Sequence, residues 1–118
     1  MHVRSICKRL GLHLHPSAHG PSMEEAMNEK TLENRLKKAV EAAGGLCWKL
    51  TCPGTAGVPD RICLMGGRVV FVEVKAPGAR PRAIQRQRMR QLQAQGFTCL
   101  VLDSPDGIEG VLGALHAA

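Results

Sequence analysis

Asp60 and the run Glu73-Val74-Lys75, on either side of a Gly66-Gly67 pair, are the residues best placed to do chemistry. Two carboxylates with an amine beside them can hold a hard divalent cation and steady negative charge developing next to it. Strand geometry brings them together. Arg61 to Met65 and Arg68-Val69-Val70-Phe71-Val72 are rich in β-branched and apolar residues and read as strands. A two-residue Gly-Gly loop between them signals a hairpin. In that register Met65 faces Arg68 and Leu64 faces Val69, which places Asp60 opposite Glu73. Opposed side chains in an antiparallel pair have Cβ atoms roughly 4.5–5.5 Å apart, and like charges so placed repel unless a cation lies between them. Glu73 and Lys75 are two apart and project from one face.

The second hairpin strand is apolar on both faces. Val69 and Phe71 share a face with Glu73 and Lys75, while Val70, Val72 and Val74 fill the other. Such a strand is central and covered on both sides, so its charged end emerges from the core into a cleft. An isolated Glu-x-Lys is commonly just a solvated strand end paired with itself. The opposing Asp60 favours the metal site.

The 118 residues suit one domain with a modest core. The apolar fraction is 44%, but the aromatics are only Trp48, Phe71 and Phe97, so Leu, Val, Ile and Met must supply the core volume. A net charge of +6 favours an anionic partner. Between Ala76 and Leu102 there is no acid, yet Arg80, Arg82, Arg86, Arg88 and Arg90 fall there. Arg82, Arg86 and Arg90 recur every four residues and would line one helix face. A single-sign face suits phosphate, although a solvated helix surface is the plain alternative. With so few aromatics, base stacking is not expected to dominate binding. The five cysteines form no Cys-x-x-Cys pair, which argues against a zinc ribbon. Cys47, Cys63 and Cys99 lie in apolar runs and read as buried, reduced thiols, as in a reducing cytosol. No stretch approaches a membrane span.

The elements read as helix, three strands, helix, strand, helix. Residues 1–22 are acid-free and hold four of the five histidines; they are read as a flexible basic extension before a domain at 23–118. Met23 and Met27 leave open whether Met1 is the genuine start. Ser22 with Glu25 has capping-box spacing, opening a helix from about Met23 to Ala43. Its core stripe is Leu32, Leu36, Ala39, Val40 and Ala43; Glu33 lies beside it, either paired with Lys37 or available to the site, with Glu29 its rival. Strand Leu46–Thr51 follows, then a loop from Cys52 to Pro59. A helix from about Arg82 or Ala83 to Gln95 has Met89 and Leu92 inward, so Gln85, four before Met89, is either inward or solvated. Phe97–Leu102 is a buried strand, and Ser104 with Pro105 opens a short last helix.

Gly57-Val58-Pro59-Asp60-Arg61, Glu73-Val74-Lys75 and Gln85 within a basic helix resemble the VRR-NUC nucleases of the PD-(D/E)xK superfamily, from about Glu29 to Leu115. Gly44-Gly45-Leu46 to Lys49 and Pro53-Gly54 resemble compact stand-alone members from phage and bacteria. The resemblance implies a restriction-endonuclease-like α/β core, a mixed central sheet of about four strands in the order αβββαβ plus a short C-terminal helix. It implies that Asp60 and Glu73 bind the metal and that Lys75 lies near the attacking water. Glu33 would be the first-helix acid completing the metal shell, often through water, and Gln85 the supporting glutamine. Lys49 matches a lysine position on the first strand. It implies, too, a homodimer acting on branched DNA such as four-way junctions. Thr55-Ala56 replaces residues that are basic in many relatives, and Pro81-Arg82 replaces a small hydroxyl cap.

An all-oxygen site suits Mg²⁺ or Mn²⁺, with the carbonyl of Ile62 or Val74 as a further ligand. Lys49, Arg61, Arg80, Arg82, Arg86 and Arg90 are the candidate nucleic-acid contacts, holding backbone phosphates rather than reading bases. The expectation is a DNA endonuclease in the cytoplasm of a bacterial or phage-infected cell, with no membrane partner and no small-molecule cofactor. The rival, a binding module of the same fold, would have lost Asp60, Glu73 or Lys75, and all three are present.

Overall fold

A computed structural model of the chain describes residues 28–117. Helix α1 spans Glu29–Ala42, and strands β1, β2 and β3 span Leu46–Lys49, Arg61–Met65 and Arg68–Val74. Helix α2 (Ala83–Ala94), strand β4 (Thr98–Leu102), a 3₁₀ turn (Pro105–Gly107) and helix α3 (Ile108–His116) follow. The sheet order is β1-β2-β3-β4. Strands β1, β2 and β3 form an antiparallel meander, and α2 carries the chain across to β4, which runs parallel to β3. This is the expected mixed four-stranded α/β architecture.

The hairpin register is the one read from sequence, Met65 against Arg68 through Arg61 against Val72. Gly66 (φ 57°) and Gly67 (φ 82°) both occupy the left-handed region. A two-residue turn of this kind matches strand twist only with φ above zero at both positions. Helix α1 starts later than Ser22 and Glu25 suggest: Asn28 is its N-cap and accepts the Thr31 N–H at 2.8 Å. The Ser22–Glu25 motif, the 1–22 extension, its histidines, Cys7 and the two internal methionines lie outside the described residues. Strand β1 stops at Lys49, short of Thr51, and β4 opens at Thr98, leaving Phe97 outside the strand. Ser104 N-caps the 3₁₀ turn rather than α3 directly, with Pro105 in its first turn.

Period-two alternation divides the core. Cys47, Cys63, Val70, Val72, Val74 and Leu102 face α1 and α3, against Leu32, Leu36, Val40, Val111 and Leu115. Phe71 and Cys99 face α2 through Met89, with Ile62, Val69 and Leu92 at the margin. Phe97 meets Phe71 edge-on at 5.6 Å. Helices on both faces explain why β3 is apolar on both. Cys47, Cys63 and Cys99 are buried and free. No helix among the described residues is long and apolar enough to cross a membrane.

Candidate active site

The Asp60–Glu73 pair lies where β2 enters the sheet. The β2–β3 ladder ends at Arg61–Val72, one position short of Asp60, and the Leu50 N–H continues β1 pairing by donating to the Asp60 carbonyl at 2.8 Å. One register further, Asp60 and Glu73 share the sheet face toward α2. Asp60 Oδ2 accepts the Val74 N–H at 3.0 Å, which fixes this carboxylate at the end of β3. Carried two positions beyond the end of the ladder, the same register would set Val74 against Pro59, which has no N–H to donate to its carbonyl.

Glu73 is only 1% exposed. Its Oε2 accepts from Gln85 Nε2 at 2.7 Å and pairs with Lys75 Nζ at 3.1 Å. Its Oε1 is buried with no hydrogen-bond partner. Burial pushes the Glu73 pKa above the ordinary carboxylate range, and the Asp60 charge adds to it; Lys75 only partly offsets this. An orphaned carboxylate oxygen beside a second carboxylate is what a hard cation would satisfy. Among the described residues no three His, Cys, Asp or Glu side chains converge as a metal cage. The fit is therefore to a cation held by few protein oxygens that keeps several waters, as Mg²⁺ does.

Gln85 is inward and buried, at 7% exposed. Arg82 supplies no side-chain hydrogen bond as N-cap, and Gln85, three residues on, reaches back instead: its Oε1 accepts the Arg82 N–H at 2.8 Å. A backbone N–H can only donate, so this bond orients the amide and turns Nε2 toward Glu73. The helix start thus positions the glutamine without a hydroxyl cap.

Glu33 lies elsewhere. Lys49, Arg61 and Val72 form the neighbouring cross-strand row, facing α1 rather than α2. Glu33 Oε1 accepts from Lys49 Nζ and Arg61 Nε, each at 2.8 Å, in place of the Lys37 pairing considered from sequence. The helix acid whose charge bears on Glu73 is Glu29. Glu29, Lys30, Glu33, Asn34, Lys49 and Arg61 line an open cleft of about 490 Å³, beside rather than over the Asp60–Glu73 pair. Burial raises the Glu33 pKa, but hydrogen bonds and charge from Lys49 and Arg61 outweigh it and hold the pKa below its ordinary value. A depressed carboxylate pKa contributes stability that is present above the ordinary value and lost as pH falls through the lowered one. Glu33→Gln is expected to cost about 1–2 kcal/mol in urea unfolding at pH 7, since Arg61 keeps a weaker acceptor. The deficit should shrink in acid.

Arg80, Arg82, Arg86 and Arg90 are exposed on or before α2. Arg86 Nη1 folds back to the Pro81 carbonyl, at 2.6 Å. Arg88 instead leaves the helix: its Nε donates to the Ala56 carbonyl at 2.8 Å.

A mixed sheet with helices on both faces, two opposed carboxylates at a strand end, and a lysine and glutamine on one of them define a nuclease-type α/β domain. No family model matches the chain. "Putative nuclease p44" of Acyrthosiphon pisum secondary endosymbiont phage 1 is 38% identical over 91 residues, 76% of this chain and 97% of that protein. A solved structure described as a VRR_NUC domain superposes with a TM-score of 0.68 at 26% identity, covering 76% of this chain and 97% of that one. The chain belongs to the VRR-NUC nuclease family.

Proposed function

We propose that the chain is a Mg²⁺- or Mn²⁺-dependent DNA endonuclease that cuts branched DNA as a homodimer, inside a bacterial or phage-infected cell. The observation that carries the cation requirement is the buried, unpartnered Oε1 of Glu73 beside Asp60. Asp60, Glu73 and the Val74 carbonyl would hold the ion, the last because Pro59 brings it no donor. Glu33, bound on one oxygen by Lys49 and Arg61, would reach the ion only through its other oxygen and a water.

Bound there, the cation would polarise the scissile phosphate and supply a hydrolytic water at neutral pH. Gln85 holds Glu73 by Oε2 and so leaves Oε1 for the ion. Lys75 sets a positive charge on the same carboxylate, where it would steady a phosphate brought to the cation. Arg80, Arg82, Arg86 and Arg90, with Lys49 and Arg61, would hold backbone phosphates and select DNA by shape. The exposed apolar side chains of Leu46 (47%) and Trp48 (57%) on edge strand β1 support a face that a second copy would cover. Two copies about a twofold axis would present paired centres to a symmetric junction.

The test offers four-way, flap, splayed and linear DNA to the full chain with Mg²⁺, Mn²⁺ or EDTA. Cation-dependent cutting that favours branched substrates is expected; cutting that survives EDTA would sink the cation reading. Equal rates on linear duplex would sink branch selection. Size-exclusion mass at two concentrations reads the dimer, and a persistent monomer would remove it.

A further inference from the structure

We propose that Arg88 is a positioning residue that straps the loop carrying Asp60 onto α2 and so holds Asp60 against Glu73. This rests on the cation-dependent reading above. The loop from Cys52 to Pro59 lies outside the sheet ladders, and it delivers Asp60. Across 32 residues of sequence, Arg88 Nε donates to the Ala56 carbonyl at 2.8 Å. Its Nη1 donates to Gln91 Oε1 at 3.0 Å, so the planar guanidinium is held at two points.

The next loop residue fits the same seam. Gly57 has φ +85°, and a Cβ there would come within 2.8 Å of Ile84 Cγ1 and 3.0 Å of the Ile84 carbonyl group. Ile84 and Arg88 are four apart and lie on one flank of α2. The loop therefore rests directly on helix backbone, with Arg88 as the clasp. From Gly57 only Val58 and buried Pro59 intervene before Asp60.

The opposite flank of α2 does something different. At about 100° per residue, Arg88 lies roughly 160° around the helix from Arg86, away from the Arg82–Arg86–Arg90 row. The inward stripe between the flanks carries Gln85, which grips Glu73. One helix thus holds Glu73 through Gln85 and Asp60 through the Arg88 loop seam, while the other flank is left for phosphates. Arg86 also meets a backbone carbonyl, but that of Pro81 just before its own helix, whereas Arg88 reaches the loop that delivers Asp60.

The experiment compares wild type, Arg88→Ala, Arg88→Lys and Arg90→Ala as full chains. Mn²⁺ affinity is read by calorimetry without DNA, DNA affinity by anisotropy in EDTA, and kcat and KM on a cleaved substrate. Arg88→Ala is expected to weaken Mn²⁺ binding and lower kcat by about 10-fold each, in the range seen when supports behind metal ligands are removed. KM and DNA affinity in EDTA should stay within about twofold. Arg88→Lys, whose ammonium can still meet the Ala56 carbonyl, should recover part of both losses. Exchange of the Thr55 amide, which bonds the Cys52 carbonyl at 3.0 Å inside the loop, should quicken in Arg88→Ala. Unchanged Mn²⁺ affinity and Thr55 exchange, with DNA binding weakened as in Arg90→Ala, would overturn the strap and make Arg88 a phosphate contact. A wild type that binds no Mn²⁺ would overturn the cation reading instead, and Thr55 exchange would still test the strap.

Discussion

Glu73→Gln is expected to abolish cation-dependent cleavage while making the cation-free protein harder to unfold. The loss in rate should be roughly 10³-fold or more, about 4 kcal/mol of transition-state stabilisation, because the substitution removes a metal-binding charge. The gain in stability has a separate cause. Glu73 is 1% exposed, its Oε1 has no partner, and burial and then Asp60 raise its pKa above the ordinary value of 4.5. The folded state therefore holds this proton more tightly than the unfolded chain does. The contribution of this group to stability is fully present below the ordinary value and is lost as pH rises from there through the raised pKa. A neutral amide keeps an acceptor for Gln85 and Lys75 and ends the repulsion with Asp60. Urea unfolding in EDTA at pH 7 should show the variant more stable by about 1–2 kcal/mol, with a flatter pH profile. Added Mn²⁺ should raise the midpoint of wild type and leave the variant unmoved. A variant less stable than wild type in EDTA would contradict the strain assigned to this pair.

The hairpin shows why the centre of this site could be read from residues alone. A two-residue Gly-Gly turn leaves one register for this hairpin, and a slip of one residue would turn Glu73 and Lys75 onto the α1–α3 face, away from Asp60. Gln85 was half legible: Met89 fixes the inward side of α2 and four residues back is one turn back, but a solvated glutamine fitted the helix equally well, and burial and the bond to Glu73 decide it. Other features had no local signature. Glu33 meets Arg61 across 28 residues, and nothing near either residue marks the other. Arg88 looks like any cation on a basic helix, and its partner is a backbone carbonyl, which any residue could supply. Gly57 carried a partial signal, since a glycine two residues before Pro59 is compatible with close backbone approach, but Ile84 was not predictable as its neighbour. The start of α1 at Glu29, behind its Asn28 cap, differs from the start that the spacing of Ser22 and Glu25 suggests. Short polar motifs recur by chance more readily than a buried strand does. The family likeness added the DNA substrate, which no geometry within the chain specifies.

Lys75→Met is expected to lower kcat by about 10²–10³-fold, and the pH dependence of cation binding can show how the lysine acts. Lys75 Nζ lies 3.1 Å from Glu73 Oε2, and its side chain is 15% exposed. Its hydrogen bond and charge are what pull the Glu73 pKa down against burial and Asp60. Without them Glu73 should hold its proton to still higher pH. Cation binding requires the ionised carboxylate, so Mn²⁺ affinity in Lys75→Met should fall off at a higher pH than in wild type. Lys75→Arg keeps the positive charge and should leave that pH limit close to the wild-type position. Its rate then separates two duties. If the side chain serves only as fixed charge beside Glu73 and the docked phosphate, arginine should recover a large part of kcat. If the side chain must also place or relay a proton on the attacking water, arginine should restore the binding limit and leave kcat near that of methionine. The ion pair with Glu73 favours the first outcome, because Lys75 is already committed to a carboxylate that the cation needs ionised.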